Sequence, residues 1–308
     1  MRRLRIASRG SVLARWQSES ICGQLARLGW SSELVILKTS GDRVQQAISQ
    51  IGIKGVFIKE LEDALLDGRA DLAVHSMKDV PTEIPAGLAF PAICQREDVC
   101  DCLVSREGWS LDQLPAGARL GTSSVRRRSQ LLHRRPDLEI RDLRGNIDTR
   151  LHKLATGDYD AIVLAKAGLD RLGWTDRITE TLSTEVSLPA VGQGALGMEA
   201  RASDVEVCEI LSRLDHDETR SAIMAERALL AELEGGCQVP LGAWARLDSG
   251  RLVLDACVCS PDGVDYIREH LLGSPEDPEK LGRDTAQKLL QAGAGRILRM
   301  IGRTVADD

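Results

Sequence analysis

Short apolar runs alternate with amphipathic stretches along most of the chain, and that alternation predicts its elements. Leu4-Arg5-Ile6-Ala7-Ser8 reads as a short strand. Val12, Leu13, Trp16, Ile21, Leu25 and Leu28 then recur along a helix that Gly29 ends. Leu34-Val35-Ile36-Leu37 is a second strand. Ile58, Leu61 and Leu65 share one face of the next helix, which Gly68 caps, and Leu72-Ala73-Val74-His75 is a buried strand. The polar stretch from Thr39 to Gln50, followed by Gly52 and Gly55, predicts a loop. A β-α-β-α-β order means a parallel or mixed sheet covered by helices, with ligands beyond the carboxyl ends of the strands. Arg9-Gly10-Ser11 and the stretch from Ser76 to Thr82 both follow strands, so they can border one cleft although remote in sequence.

The pattern starts afresh near Leu103. Arg119-Leu120-Gly121 is a strand end, Thr122-Ser123-Ser124 a helix start, and Val125 to His133 the helix. Leu138-Glu139-Ile140, Asn146 to Ala155, and Ala161-Ile162-Val163-Leu164 continue as strand, helix and strand, which predicts a second α/β domain. Pro189 to Ala195, rich in Gly and Pro, reads as a crossing between domains. Helical patterns follow from Val205 to Leu214 and from Thr219 to Leu233. Apolar stretches at Leu252-Val253-Leu254 and Ala256-Cys257-Val258 precede a turn at Pro261-Asp262-Gly263 and a strand to Leu271. Pro275 and Pro278 open a last long helix. This final portion predicts a small α+β domain.

Composition narrows the function classes. The 308 residues are 43% hydrophobic and 28% charged, which suits two or three globular domains. Aromatic residues make up only 3%, so the cores must be aliphatic. A net charge of -6 argues against non-specific binding to nucleic acid or an anionic membrane. No apolar run reaches the roughly 18 residues of a membrane span. Met1-Arg2-Arg3-Leu4-Arg5 is followed by Ala7-Ser8-Arg9-Gly10-Ser11 where a signal peptide needs an apolar stretch, so a cytoplasmic location is expected. The eight cysteines then read as reduced thiols. Cys100-Asp101-Cys102 and Cys257-Val258-Cys259 have a one-residue gap rather than zinc spacing, and His numbers only five, so no metal site is expected.

Candidate chemistry concentrates in three places. Arg119 to Arg150 holds nine arginines, no lysine and four carboxylates, a local inversion of the overall charge. Arginine is the residue for two-pronged recognition of carboxylate or phosphate. Arg126 and Arg127 fall in the first turn of a helix, where cations are mildly unfavourable and anions welcome, so an anion is expected to receive them. That stretch has no aromatic residue to stack on bases, which favours a small carboxylated guest over single-stranded nucleic acid. Asp79, beside Lys78, is a carboxylate set among cations that can stabilise a developing positive charge, or simply satisfy the turn before Pro81. Cys237 follows Gly235-Gly236 and precedes Pro240, and fits either a presented thiol or a small buried apolar residue.

These pieces lie in motifs that run Val74-His75-Ser76-Met77-Lys78-Asp79-Val80-Pro81-Thr82, Gly121-Thr122-Ser123-Ser124-Val125-Arg126-Arg127 and Leu143-Arg144-Gly145-Asn146-Ile147-Asp148-Thr149-Arg150. Leu188-Pro189-Ala190-Val191-Gly192-Gln193-Gly194-Ala195 and Leu233-Glu234-Gly235-Gly236-Cys237-Gln238-Val239-Pro240 complete the set. In that order the chain resembles the porphobilinogen deaminase (hydroxymethylbilane synthase) family along nearly its whole length. The resemblance implies two periplasmic-binding-protein-like α/β domains with a cleft between them and a small C-terminal α+β domain. Domain 1 would comprise 1–96 and 194–214, domain 2 97–193 and domain 3 215–308.

The resemblance further implies a transferase of tetrapyrrole, hence porphyrin and haem, biosynthesis. Such enzymes join four porphobilinogen molecules head to tail, with loss of ammonia, into hydroxymethylbilane. They prime on a dipyrromethane cofactor held by a thioether, here to Cys237, and the catalytic aspartate falls on Asp79. Binding positions fall on Arg9, Ser11, Gln17, Lys54, Ser76, Lys78, Thr122, Ser124, Arg126, Arg127, Arg144, Arg150, Arg171 and Gln193. A monomer with porphobilinogen as its small-molecule partner, and no nucleic acid or membrane, is expected. The residues agree with this chemistry. Each pyrrole brings carboxylates to the arginines, and a fixed carboxylate such as Asp79 stabilises the cation left when ammonia departs. Gly10, Val12, Gln50, Ile53 and Val56 depart from the family pattern, and Lys166 stands where a small residue is usual, with no role assigned to it. The competing readings are a non-catalytic receptor for an anionic ligand and a nucleic-acid binder.

Overall fold

Strand β1 (Leu4–Arg9) sends Ile6 to one face of a sheet and Ala7 to the other, as the two-residue period of a strand requires. The structure, a computed structural model, describes residues 2–37, 55–233 and 239–304. It divides into one unit of residues 1–97 with 194–220 and another of 98–193 with 221–308.

In the first unit, β1 is joined by β2 (Ser32–Leu37), β3 (Leu72–Ser76), β4 (Leu88–Ile93) and β10 (Leu196–Arg201), in the order β2-β1-β3-β10-β4. β1 runs parallel to β2 and β3, whereas β10 is antiparallel to both its neighbours, so the sheet is mixed. Ile6, Val74 and Met198 pack on one face with Ile21 and Leu25 of α1 (Val12–Arg27) and Val207 and Leu211 of α6 (Val205–Ser212). Ala7 and Ala73 face Leu61 and Leu65 of α2 (Gly55–Leu66) on the other. Each such fully buried Leu or Ile contributes about 1.5–3 kcal/mol. Ser11 caps α1 by accepting from Ala14 N at 3.3 Å, and Gly29 leaves the helix at φ 86°, open to glycine at little cost.

The second unit contains a sheet of the same order. Its strands are β5 (Asp101–Ser105), β6 (Arg119–Gly121), β7 (Glu139–Arg141), β8 (Ala161–Ala165) and β9 (Glu180–Leu182), arranged β7-β6-β8-β5-β9. Here β5 is the strand that opposes its neighbours. Leu103, Leu120 and Val163 pack with Leu131 of α3 (Val125–Arg134) on one face. Cys102, Ile162 and Leu164 pack with Leu154 of α4 (Ile147–Ala155) and Leu169 of α5 (Lys166–Arg171) on the other.

A three-stranded antiparallel sheet belongs to the same unit, with β12 (Arg251–Cys259) between β11 (Leu241–Asp248) and β13 (Tyr266–Gly273). The two apolar stretches read from the sequence form the single strand β12. Asp255, which interrupts them, accepts from Arg246 at 2.6 Å and lies 2.9 Å from His270 Nδ1, so the break in hydrophobicity is no break in the strand. Ser249 and Gly250, at φ 50° and 78°, make the tight hairpin between β11 and β12. One face of this sheet is covered by α7 (Asp217–Glu232), α8 (Pro278–Gln291) and α9 (Ala294–Thr304) through Leu229, Leu281, Leu289 and Ile297. Gly242 lies so close to Leu188 that a Cβ would overlap it, and His133 of α3 stacks on Tyr266 at 4.6 Å.

Candidate functional site

The first unit presents its polar residues at the carboxyl edge of β1 and β3. The parallel register pairs Ala7 with Ala73, so Arg9 and Ser76 finish at the same edge. Beyond Ser76 the chain makes one 3-10 turn, Met77–Asp79. Met77 fixes it: its N–H donates to Ala195 O at 3.0 Å, and its buried side chain lies over Gly197 of β10. A Cβ at Gly197 would overlap the Met77 sulfur and the Phe90 ring, so glycine is required for the turn to seat. With Met77 inward, Asp79 is exposed, and it makes no hydrogen bond or ion pair among the described residues. Gln17, buried on α1, donates to Ser76 Oγ at 3.0 Å and so joins two of the expected positions directly. Ser11 serves as the cap of α1, next to Arg9 at the end of β1.

In the second unit the first turn of α3 carries Arg126 and Arg127 and no acidic residue. Ser124 caps it by accepting from Arg127 N at 3.4 Å, and Thr122 Oγ1 accepts from Ser124 N at 3.2 Å. Both guanidiniums are buried and converge on Asp101 of β5, which is wholly buried. Arg126 Nη1 donates to Asp101 Oδ2 at 2.8 Å and to Leu188 O at 2.6 Å. Arg127 donates to Asp101 Oδ1 through Nη2 at 2.7 Å and Nε at 3.1 Å, and to Val163 O through Nη1 at 3.0 Å. Ser187 Oγ and Gln193 Nε2 complete the ring of donors at 3.0 and 2.9 Å. Burial alone drives the Asp101 carboxyl upward, but Arg126 and Arg127 outweigh it and hold the group far below the usual carboxylate range. The anion expected for these two arginines is therefore met in the first place by the chain itself.

Asp101 did not stand out in the sequence except as the gap between two cysteines. Its signal is a lone carboxylate inside the apolar run Cys100 to Val104, which has to be paired if the run is a buried strand.

Other arginines of the basic stretch also find carboxylates, two of them from outside it: Arg119 with Asp160, Arg134 with Asp112, Arg135 with Asp137 and Arg141 with Glu139. Arg128 and Arg144 are exposed and make no ion pair among the described residues. Arg150 lies near Arg144 in the chain and donates from Nε to Gly145 O at 2.7 Å. Arg171 is buried at the end of α5. Lys166, without an expected role, bridges Asp170 at 2.8 Å and Asp98 at 3.1 Å; the hydrogen bond to Asp170 leads in pushing its pKa up to about 12.

Burial pushes the thiols of Cys100, Cys102 and Cys259 up to about 12 and that of Cys257 up to about 11, so these four stay protonated. Cys237 and Lys54 lie outside the described residues. Among the described residues no cluster of His, Cys, Asp or Glu is suited to a metal ion, and no helix is long and apolar enough to cross a membrane.

Comparison with solved structures gives low identity. The BvgS periplasmic VFT2 domain of Bordetella pertussis is 18% identical, over 69% of this chain and 86% of that one, with a TM-score of 0.43. A YaeC-family lipoprotein of Enterococcus faecalis is 14% identical, over 70% and 91%, with a TM-score of 0.44. The family comparison is far more specific. The model described as porphobilinogen deaminase, dipyromethane cofactor binding domain, matches residues 4–209. That described as porphobilinogen deaminase, C-terminal domain, matches residues 221–291. Between them these matches take in the Asp79 turn, the Arg126–Asp101 cluster and the small antiparallel sheet, and the chain belongs to the porphobilinogen deaminase family, transferases that make hydroxymethylbilane in tetrapyrrole biosynthesis.

Proposed function

We propose that Asp79 is the catalytic carboxylate of this chain and that Cys237 carries the dipyrromethane by a thioether. The observation that carries the reading is the exposed Asp79 carboxylate, unspent on any described neighbour, on a turn that Met77 holds rigid. As ammonia leaves a porphobilinogen bound beside it, Asp79 accepts from the pyrrole N–H and stabilises the positive charge that develops. A preorganised charge of this kind is commonly the largest catalytic term.

The binding positions of this reading are Arg9, Ser11, Gln17, Lys54, Ser76, Lys78, Thr122, Ser124, Arg126, Arg127, Arg144, Arg150, Arg171 and Gln193. The donor set suits the cofactor, whose acetate and propionate groups call for guanidinium partners. Arg126 Nε is buried with no hydrogen-bond partner among the described residues, and Arg144 has no carboxylate of its own there. When bound, dipyrromethane supplies the pyrrole carbon to which substrate units are joined.

The same reading assigns domain 1 to 1–96 and 194–214, domain 2 to 97–193 and domain 3 to 215–308. It makes the enzyme a cytoplasmic monomer with porphobilinogen as its partner, which sedimentation of the purified holoenzyme tests.

The deciding experiment is the intact mass of the purified chain. An excess equal to two pyrrole units, abolished by Cys237→Ser together with ammonia release from porphobilinogen, is expected. An unmodified chain that turns over porphobilinogen would overturn the assignment, and anion binding without ammonia release would favour a receptor.

A further inference from the structure

The buried carboxylate of Asp101 has no part in the proposed site, yet both adjacent arginines of α3 converge on it. We propose that Asp101 is a positioning residue for anion recognition: with Ser187 it fixes the Arg126 and Arg127 side chains in the pose that receives a carboxylate of the cofactor or substrate. The proposal rests on the reading that these arginines contact that guest.

Charge and donor counting support it. Among the described residues the two guanidiniums share one carboxylate, so the buried cluster keeps one positive charge uncompensated there, an arrangement that is costly unless a second anion arrives. The two arginines are also engaged differently. Every nitrogen of Arg127 has a partner: Nε and Nη2 on Asp101, Nη1 on Val163 O. Arg126 directs Nη1 to Asp101, Leu188 O and, at 3.3 Å, Ser187 Oγ, while its Nε has no partner among the described residues although the side chain is only 6% exposed. Asp101 thus holds Arg126 through Nη1, while Nε, enclosed by protein, remains an unspent donor among the described residues.

Asp101 itself is placed by β5, where it pairs with Ala165 of β8 and Leu182 of β9, so its carboxylate sits on an interior strand of the sheet. Ser187 donates to Asp101 Oδ2 at 3.0 Å. Gln193 Nε2 reaches Asp101 Oδ1 at 2.9 Å and Val99 O at 2.7 Å, tying the segment after Leu188 to the strand that carries the carboxylate.

The test compares Ser187→Ala, Asp101→Asn, Asp101→Glu and Arg126→Lys in the purified full-length chain. Three quantities are read for each: the fraction carrying the cofactor mass, KM and kcat for porphobilinogen, and the unfolding temperature. Ser187→Ala removes one donor to Asp101 and the longest of the three Arg126 Nη1 contacts while leaving both guanidiniums and the carboxylate in place, and should raise KM about fivefold, the worth of one net hydrogen bond, with kcat unchanged. Asp101→Asn should lose most of the cofactor mass or raise KM more than about tenfold, with part of the loss restored in Asp101→Glu.

A lower unfolding temperature with wild-type mass, KM and kcat in both Ser187→Ala and Asp101→Asn would make the cluster merely structural and overturn the proposal. If Asp101→Asn does not fold, the KM of Ser187→Ala decides. Arg126→Lys separates the two levels. If it too is unaltered in mass and KM, the arginine contact itself is wrong. If it is impaired while the Ser187 and Asp101 variants are not, positioning alone is refuted.

Discussion

Gln17 on α1 donates its side-chain amide to Ser76 at the end of β3, 3.0 Å away, across 59 positions of sequence. The bond ties the helix that follows Arg9 to the strand that leads into Asp79. Replacing Gln17 by Ala leaves the Ser76 hydroxyl without that donor and should cost about 1 kcal/mol of stability. Because the bond also sets the start of the turn that carries Asp79, the proposed role of that residue predicts that turnover falls about threefold to tenfold. Thermal unfolding and steady-state kinetics measure the two effects, and a lowered unfolding temperature with unaltered kinetics would confine Gln17 to the fold.

Asp79 is exposed and touches no described partner, so its loss should leave the fold intact. Asp79→Asn is expected to unfold within about 2 °C of the parent, since surface changes of this kind lie within about 0.5 kcal/mol. Its kcat should fall about a hundredfold or more, the usual consequence of removing a preorganised charge. Normal kcat in a folded variant would remove Asp79 from the chemistry.

Gly197 offers a test of how the turn is held. Gly197→Ala places a methyl against the Met77 sulfur and the Phe90 ring, and should destabilise by about 1–3 kcal/mol while also lowering activity through the displaced turn. Met77→Ala in the same chain should recover part of the Gly197→Ala loss, because it vacates the space the methyl needs. Strictly additive losses in a double-mutant cycle would mean that the two residues do not share that space.

Acid stability follows from Asp160, which accepts from Arg119 Nη2 at 2.7 Å, Nε at 3.0 Å and N at 2.9 Å. The Arg119 hydrogen bond leads in lowering its carboxyl to about 2. A depressed carboxyl contributes stability fully above its unfolded value of about 3.9 and loses it as pH falls through the folded one. The gap in unfolding temperature between the parent and Asp160→Asn should therefore be constant above about pH 5 and close towards about pH 2. A gap that widens on acidification would contradict the pairing.

Much of the candidate site is legible in the sequence because its residues lie where strands end. The apolar run before Ser76 announces β3, and a Lys-Asp pair after such a run has to stand at the sheet edge. The arginines of α3 were legible as residues but not as a cluster. Asp101 precedes Arg126 by 25 positions and meets it only because β5 inserts between β8 and β9. No local pattern encodes that order. β10 was missed for a related reason: buried on both faces and containing Gly197 and Glu199, it shows neither the two-residue period nor an unbroken apolar run. β12 was read as two stretches because Asp255 needs partners that only neighbouring strands supply.

The position of β10 has a consequence for how the polypeptide is born. It lies between β3 and β4, so the first sheet lacks an interior strand until Arg201 has been translated. The sheet made of β5 to β9 draws only on residues 101–182 and is complete while the earlier one still gapes. Order of synthesis and order of closure are thus inverted: the amino-terminal segment waits, with unpaired edges on β3 and β4, for a strand encoded some hundred residues downstream. Ribosome-arrested chains ending after Glu97 should be readily cleaved by protease and bound by chaperones, and extension past Arg201 should release them.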